Sequence, residues 1–268
     1  MRLGVIGCGN MGSALLRGIV ESRFLPARRI LAWDTDRRKL RTLSRRLKVR
    51  SAGSNGQLAR ACSVLLLAVK PQQMGGVLKE IRPALGRKSL VISIAAGIPT
   101  RWIEKRLGRG VPVVRVMPNT PALVGKGISA VALGHSASRA HGRVAEQILS
   151  CVGEVVPLPE RQLDAVTAVS GSGPAYFFYL MEQMIEAGVK LGLSRSVARR
   201  LVFATAAGAA ELACQTGKEP GVLRTRVTSK GGTTDAAFKL FRRRRLGTIL
   251  HEGVRAAARR SRALSEGR

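Results

Sequence analysis

Leu3-Gly4-Val5-Ile6-Gly7-Cys8-Gly9-Asn10-Met11-Gly12 joins a short apolar run to a glycine pattern at the head of the chain. Four residues of strand character run straight into G-x-G-x-x-G, and a helical pattern over 10–21 follows. In that strand–turn–helix context the spacing has a mechanical meaning. Gly7 makes the tight turn, Gly9 lets the backbone approach a pyrophosphate, and Gly12 lets the helix pack close on the strand. The helix amino terminus then meets phosphates with free N–H groups and a favourable dipole. Twenty-two residues after Gly12, Asp34 closes a second strand-like run, where a carboxylate accepts from a ribose 2′-hydroxyl and favours NAD. Arg37 and Arg38 follow at once, and an arginine there receives the 2′-phosphate of NADP instead. Asp34-Thr35-Asp36 also reads as a plain helix cap. The residues therefore leave NADH and NADPH both open.

Working outward, strand patterns at 3–6, 29–33, 64–69, 90–94 and 113–117 alternate with helical patterns at 10–21, 36–47, 72–81 and 100–107. That alternation predicts an α/β domain with a doubly wound, largely parallel sheet of Rossmann type. A further strand–helix–strand passage, 128–133, 137–152 and 154–157, completes it. After Pro159 the strand pattern stops, so the expected division is a dinucleotide-binding domain over 1–160 and an all-helical domain over 161–268. The helical stretches 176–191 and 196–216 are apolar around much of their circumference, which demands neighbours on several sides. About 108 residues supply few such neighbours, and a second subunit is the expected source of the rest.

Composition narrows the class. Of 268 residues, 45% are apolar and 23% charged, which excludes disordered and collagen-like chains. No apolar run approaches the ~20 residues of a membrane span, so no membrane partner is expected and the cytoplasm is the expected location. Cys8, Cys62, Cys151 and Cys214 show no close pairing and are expected as reduced, mostly buried thiols. The net charge of +30 is spread out, with 27 basic and 8 acidic residues over 1–160 and 19 and 8 over 161–268. Only Arg242-Arg243-Arg244-Arg245 is dense, and with ten aromatic residues in the chain there is little for bases to stack on. Nucleic acid is not expected as a main partner. His135, His141 and His251 have no ligand spacing, and no metal is expected.

Two later segments repeat the glycine-opened helix start. Ser170-Gly171-Ser172-Gly173-Pro174 precedes an apolar helix, and Ser229-Lys230-Gly231-Gly232-Thr233-Thr234-Asp235 precedes another. Unpaired N–H groups and hydroxyls there suit a small carboxylate as well as they suit a helix cap. With Ala68-Val69-Lys70-Pro71, Ala95-Ala96-Gly97-Ile98, Met117-Pro118-Asn119-Thr120-Pro121-Ala122 and the block Asp164 to Tyr176, these segments closely resemble the pyrroline-5-carboxylate reductases. The resemblance runs in order along nearly the whole chain.

The resemblance implies NAD(P)H-dependent reduction of Δ1-pyrroline-5-carboxylate to L-proline, the last step of proline biosynthesis, by a homodimer that in the family also assembles into rings of dimers. By position, Gly7, Cys8, Gly9, Asn10, Met11 and Gly12 would hold the pyrophosphate, and Asn55 the adenosine side. Ala68, Val69, Lys70 and Pro71 would flank the ribose, and Ala95, Ala96 and Gly97 the nicotinamide; Asn119 belongs to the same implied cofactor set. Ser229, Gly231, Gly232, Thr233 and Thr234 would form the substrate loop on the helical dimerisation domain, facing the partner's nucleotide domain. Thr234 is expected to hydrogen-bond the ring nitrogen. Lys230 departs from the family's Ser-Pro-Gly-Gly, and the arginine run has no place in reductase chemistry. Two rivals stand beside this reading: a β-hydroxyacid-type dehydrogenase with Lys190 as general acid, and a basic dinucleotide-binding scaffold on nucleic acid.

Overall fold

In the computed structural model, residues 1–86, 88–108 and 110–266 are described. Eight strands form one sheet: β1 (Leu3–Ile6), β2 (Ile30–Trp33), β3 (Arg50–Ser51), β4 (Val64–Leu67), β5 (Leu90–Ser93), β6 (Val113–Met117), β7 (Gly127–Leu133) and β8 (Gly153–Pro157), in the order β3-β2-β1-β4-β5-β6-β7-β8. All neighbours run parallel except β6 and β7, which pair antiparallel through Val114↔Leu133 to Met117↔Ala130. The strand order reverses between β1 and β4. A crevice therefore opens beyond the carboxyl ends of those two strands, the place where ligands bind open α/β sheets.

Apolar residues line both faces of the central strands because helices cover both faces. Successive side chains point to opposite sides, so Leu3, Val5 and Leu66 pack with Leu15, Leu16 and Ile19 of α1 (Asn10–Glu21), Leu40 of α2 (Arg37–Leu47) and Ile148 of α6 (Arg139–Leu149). Ile6, Leu65 and Leu67 pack on the other side with Leu58 of α3 (Asn55–Ala61), Leu78 of α4 (Met74–Ile81) and Ile103 of α5 (Thr100–Leu107). The short pair β3 and α3 has no counterpart in the sequence expectation. β3 is two exposed residues, too few for a period, and α3 is seven residues started by Ser54, whose Oγ accepts the Gln57 N–H at 3.1 Å. The expected strand at 29–33 begins at Ile30, because Ala27–Arg29 form a 3₁₀ turn.

The helical part comprises α7 (Leu163–Val166), a π-turn at Thr167–Gly171, α8 (Gly173–Lys190), α9 (Arg195–Thr216), α10 (Pro220–Arg226), α11 (Thr233–Arg243) and α12 (Leu246–Glu266). By packing, the chain divides into one unit of residues 1–172 with 257–268 and a second of 173–256. In the first, the last turns of α12 are fastened where Ser261, itself buried, donates to Asp164 Oδ1 at 2.7 Å. In the second, α8 and α9 pack through Ala198 and Val202, which with Gly173 are its buried residues. Phe177, Phe178, Tyr179, Leu191 and Leu201 stay exposed there, Leu191 at 85%. Monomeric proteins rarely leave so much apolar surface open.

Candidate active site

The glycine turn is built as its spacing predicts. Gly7 stands at φ +96°, a conformation that L side chains avoid, and its N–H donates to Trp33 O at 2.8 Å. A methyl at Gly12 would collide with the Gly7 carbonyl oxygen, so α1 lies directly on the turn. At Gly9 a Cβ would meet nothing within 4 Å, and Gly9 starts α1 with no side-chain cap and no acidic residue in the first turn. The dipole and free N–H groups there face open space, which is what a pyrophosphate needs. Ser13 Oγ donates to Cys8 O at 2.7 Å and closes the turn from behind.

Asp34 is tied into this turn. Its Oδ2 accepts the Cys8 N–H at 2.5 Å and its Oδ1 the Asp36 N–H at 2.8 Å. The cap of α2 is Asp36, which accepts the Lys39 N–H at 2.9 Å, so the capping role read into Asp34-Thr35-Asp36 falls to Asp36. The Cys8 side chain is buried, and burial, followed by the nearby Asp34 charge, pushes its thiol up to about 12. Only its backbone faces the turn's chemistry. Arg37 lies over the Trp33 ring, 3.8 Å from the centroid, and donates to Gly53 O at 3.3 Å.

Asn55, buried at the start of α3, donates from Nδ2 to Glu80 Oε2 at 2.9 Å, while its Oδ1 has no partner. Gly7, Gly9, Asp34, Asn55, Lys70 and Glu80 line a cleft of ≈ 330 Å³. A second cleft of ≈ 480 Å³ shares Gly9, Ala68, Val69 and Lys70 with it and continues to Asn10, Met11, Pro71, Ala95 and Ala96. Twelve of the sixteen expected cofactor residues thus line these two adjoining clefts, whereas Cys8, Gly12, Gly97 and Asn119 line neither. Gly97, at φ +67°, packs against Leu264 of α12. Asn119 lies outside both linings: its Oδ1 accepts the Ile128 N–H at 2.9 Å and its Nδ2 donates to Ser170 Oγ at 3.3 Å. Glu80 went unnoticed in the sequence, and nothing nearer than the Asn55 pairing, 25 residues away, marks it.

The second group of residues lies in the helical unit. Gly231, at φ +76°, turns the chain into α11, and its N–H donates to Asp235 Oδ2 at 3.0 Å. Gly232 starts α11 without a side-chain cap, and Thr234 is half-buried. Hydrogen bonding from Lys239, then from the Gly231 N–H, holds the Asp235 carboxyl below its ordinary range. Arg242, first of the arginine run, reaches Asp235 Oδ1 at 3.9 Å, and the run ends α11. Lys190, exposed, closes α8. His141 completes a capping box with Ser138 at the start of α6.

An open, uncapped helix start at the sheet's switch point, with an orphaned amide oxygen and a strand-end carboxylate beside it, fits an adenine dinucleotide. The fold and groove are those of nicotinamide-dependent oxidoreductases. Comparison with known proteins narrows the class. Residues 160–264 match the family model described as pyrroline-5-carboxylate reductase dimerisation, and residues 2–97 the model described as NADP oxidoreductase, coenzyme F420-dependent. A pyrroline-5-carboxylate reductase of Pseudomonas aeruginosa is 44% identical over 266 residues, covering 99% of this chain and 97% of that one. The structure of a pyrroline-5-carboxylate reductase from Coxiella burnetii superposes with a TM-score of 0.92 at 35% identity, over 98% of each chain. That of Plasmodium falciparum pyrroline carboxylate reductase with NADP bound gives 0.89 at 31% identity, over 99% and 98%. The chain belongs to the pyrroline-5-carboxylate reductase family.

Proposed function

We propose that the protein reduces Δ1-pyrroline-5-carboxylate to L-proline with NAD(P)H, as the last step of proline biosynthesis. The observation that carries this reading is the loop Ser229 to Thr234, opened by Gly231 at φ +76° and leading into the uncapped start of α11, in a member of this family. The α11 N–H groups and the Ser229 hydroxyl hold the substrate carboxylate, and the Thr234 hydroxyl hydrogen-bonds the ring nitrogen. A reduced nicotinamide, when bound, supplies the hydride for the C=N carbon. The protonated imine is already electrophilic, so the chain's task is to hold the two reactants close and aligned.

Gly7, Gly9, Asn10 and Met11 hold the pyrophosphate on α1, Asp34 and Asn55 hold the adenosine ribose, and Ala68 to Pro71 with Ala95 to Gly97 line the path to the nicotinamide. Cys8 and Gly12 shape the turn, and Asn119 steadies Ser170 from outside the groove. By function the chain divides at residue 160 into a dinucleotide-binding part and a substrate-binding, dimerising part. The exposed apolar faces of α8 and α9 support a homodimer, which the family's rings would multiply. No helix among the described residues is long and apolar enough to cross a membrane, and we place the enzyme in the cytoplasm.

The test is oxidation of NADH and of NADPH followed at neutral pH with pyrroline-5-carboxylate, on the wild type and on Thr234→Ala. Turnover by the wild type and a kcat lowered by ~10-fold or more in the variant at saturating cofactor are expected. A folded protein that binds dinucleotide and turns over no imine would overturn the reading. An unchanged kcat would remove Thr234 from the chemistry.

A further inference from the structure

We propose that this chain selects NADH over NADPH, and that Glu80 acts with Asp34 to exclude a 2′-phosphate. The proposal rests on the groove being the dinucleotide site. The sequence sets Asp34 against Arg37 and Arg38, and the structure separates them. Arg37, the better placed of the two, is committed elsewhere, stacked on Trp33 at 3.8 Å and donating to Gly53 O. Arg38 is exposed and lines neither cleft. Asp34, in contrast, is on the cleft wall, its carboxylate oriented by the Cys8 and Asp36 N–H groups.

Glu80 adds a second carboxylate to the same wall, from the far end of α4. A carboxylate only accepts, so the 2.9 Å contact fixes the Asn55 amide with its NH₂ toward Glu80 and its oxygen free. That buried oxygen lacks a donor. A ribose 2′-hydroxyl has a proton to give it, whereas a 2′-phosphate dianion in its place brings only acceptors and leaves the 3′-hydroxyl as the sole ribose donor. Lys70, on the wall shared with the second cleft, is the one cation that lines this cleft among the described residues. Two carboxylates thus line this cleft against one ammonium, with Lys39 on the adjoining cleft and Arg37 stacked on Trp33 as the nearby cations. Placing a further double negative charge there is the kind of like-charge contact that separates two ligands of otherwise equal fit.

The measurement is equilibrium binding of NADH and NADPH without imine, followed by nicotinamide fluorescence, on the purified full-length chain. Expected is a dissociation constant for NADPH at least about ten-fold above that for NADH. Glu80→Gln keeps an acceptor for Asn55 and removes the charge, and the NADPH-to-NADH ratio should then fall by roughly three-fold or more. Arg37→Ala should leave that ratio where it was. Equal or tighter NADPH binding by the wild type would overturn the proposal. So would an unchanged ratio in Glu80→Gln with native circular dichroism, or a selective loss of NADPH binding in Arg37→Ala. Binding of neither dinucleotide would remove the site and the proposal together. Discrimination without imine turnover would instead uphold the proposal and sink the reductase reading.

Discussion

Arg115 is a cation in the middle of a strand, 5% exposed, and one carboxylate answers it, Glu160 Oε1 at 3.2 Å. The same carboxylate accepts the Thr100 N–H at 2.8 Å and the Thr100 hydroxyl at 2.6 Å, so it also holds the start of α5. Removing it would leave a buried guanidinium uncompensated, which typically costs about 3 kcal/mol or more. Glu160→Ala is therefore expected to lose about that much in a urea unfolding curve, and Glu160→Gln to recover part of it, since an amide still accepts from Thr100. A loss under ~1 kcal/mol would mean that Arg115 finds other compensation. A second expectation concerns the thiols. With burial pushing Cys8 to about 12 and Cys62 to about 11, neither forms much thiolate at pH 8, while Cys214 is exposed. Iodoacetamide on the native protein should label Cys214 and spare Cys8 and Cys62, as read by peptide mass spectrometry; early labelling of Cys8 would contradict its burial. Of the four thiols expected to be mostly buried, Cys8 and Cys62 are buried, Cys151 is half-buried and Cys214 is exposed. At this scale the sequence was legible where function sits in a contiguous turn, Gly7 to Gly12. Glu80 and Glu160 were not, because their partners lie 25, 45 and 60 residues away and only the fold brings them together.

Element by element, the strands β1, β4, β5 and β6 stand out in the sequence because burial on both faces fills them with apolar residues, Ser93 at the end of β5 and Arg115 in β6 being the polar exceptions. β3 and α3 escape because neither is long enough to display a period. The return of α12 to the sheet unit escapes for another reason. Its last turns are held by the Ser261–Asp164 hydrogen bond and by Leu264 on Gly97, and serine in a helix interior gives no hint of such a role. Helix ends also keep small defects. α2 ends at Lys48 with φ 56° and ψ 25°, a left-handed cap that glycine adopts freely. The Cβ makes that conformation cost ~1–2 kcal/mol, of which glycine gives part back in the extra freedom of the unfolded chain. Lys48→Gly is expected to stabilise by about 0.5–1 kcal/mol and to raise Tm by roughly 2 °C. An unchanged or lower Tm by calorimetry would show that the lysine side chain contributes what its backbone costs.

At the scale of the whole molecule, the helical unit has almost no interior of its own: Ala198, Val202 and Gly173 are its buried residues, while Phe177, Phe178 and Leu191 are 62 to 85% exposed. The groove and the substrate loop, meanwhile, sit on different units. If the family's arrangement holds, with each loop serving the partner's groove, then two crippled chains should repair one another. Gly9→Asp is suited to one of them. A side chain at Gly9 meets nothing within 4 Å, so the fold is kept, but the new carboxylate occupies the seat of the pyrophosphate. Thr234→Ala disables the other chain at its loop. Gly9→Asp alone should be nearly inactive, and Thr234→Ala alone should keep about a tenth of wild-type turnover or less. In a randomly reassociated equimolar mixture half the dimers are mixed, and each mixed dimer assembles one site from an intact groove and an intact loop, giving about a quarter of wild-type turnover. A site made within one chain allows no such rescue, since every chain in the mixture carries one lesion. Recovery near a quarter, tracked against subunit exchange by native mass spectrometry of the mixed dimer, would place the catalytic site across the dimer; failure to recover despite demonstrated exchange would place it within the single chain.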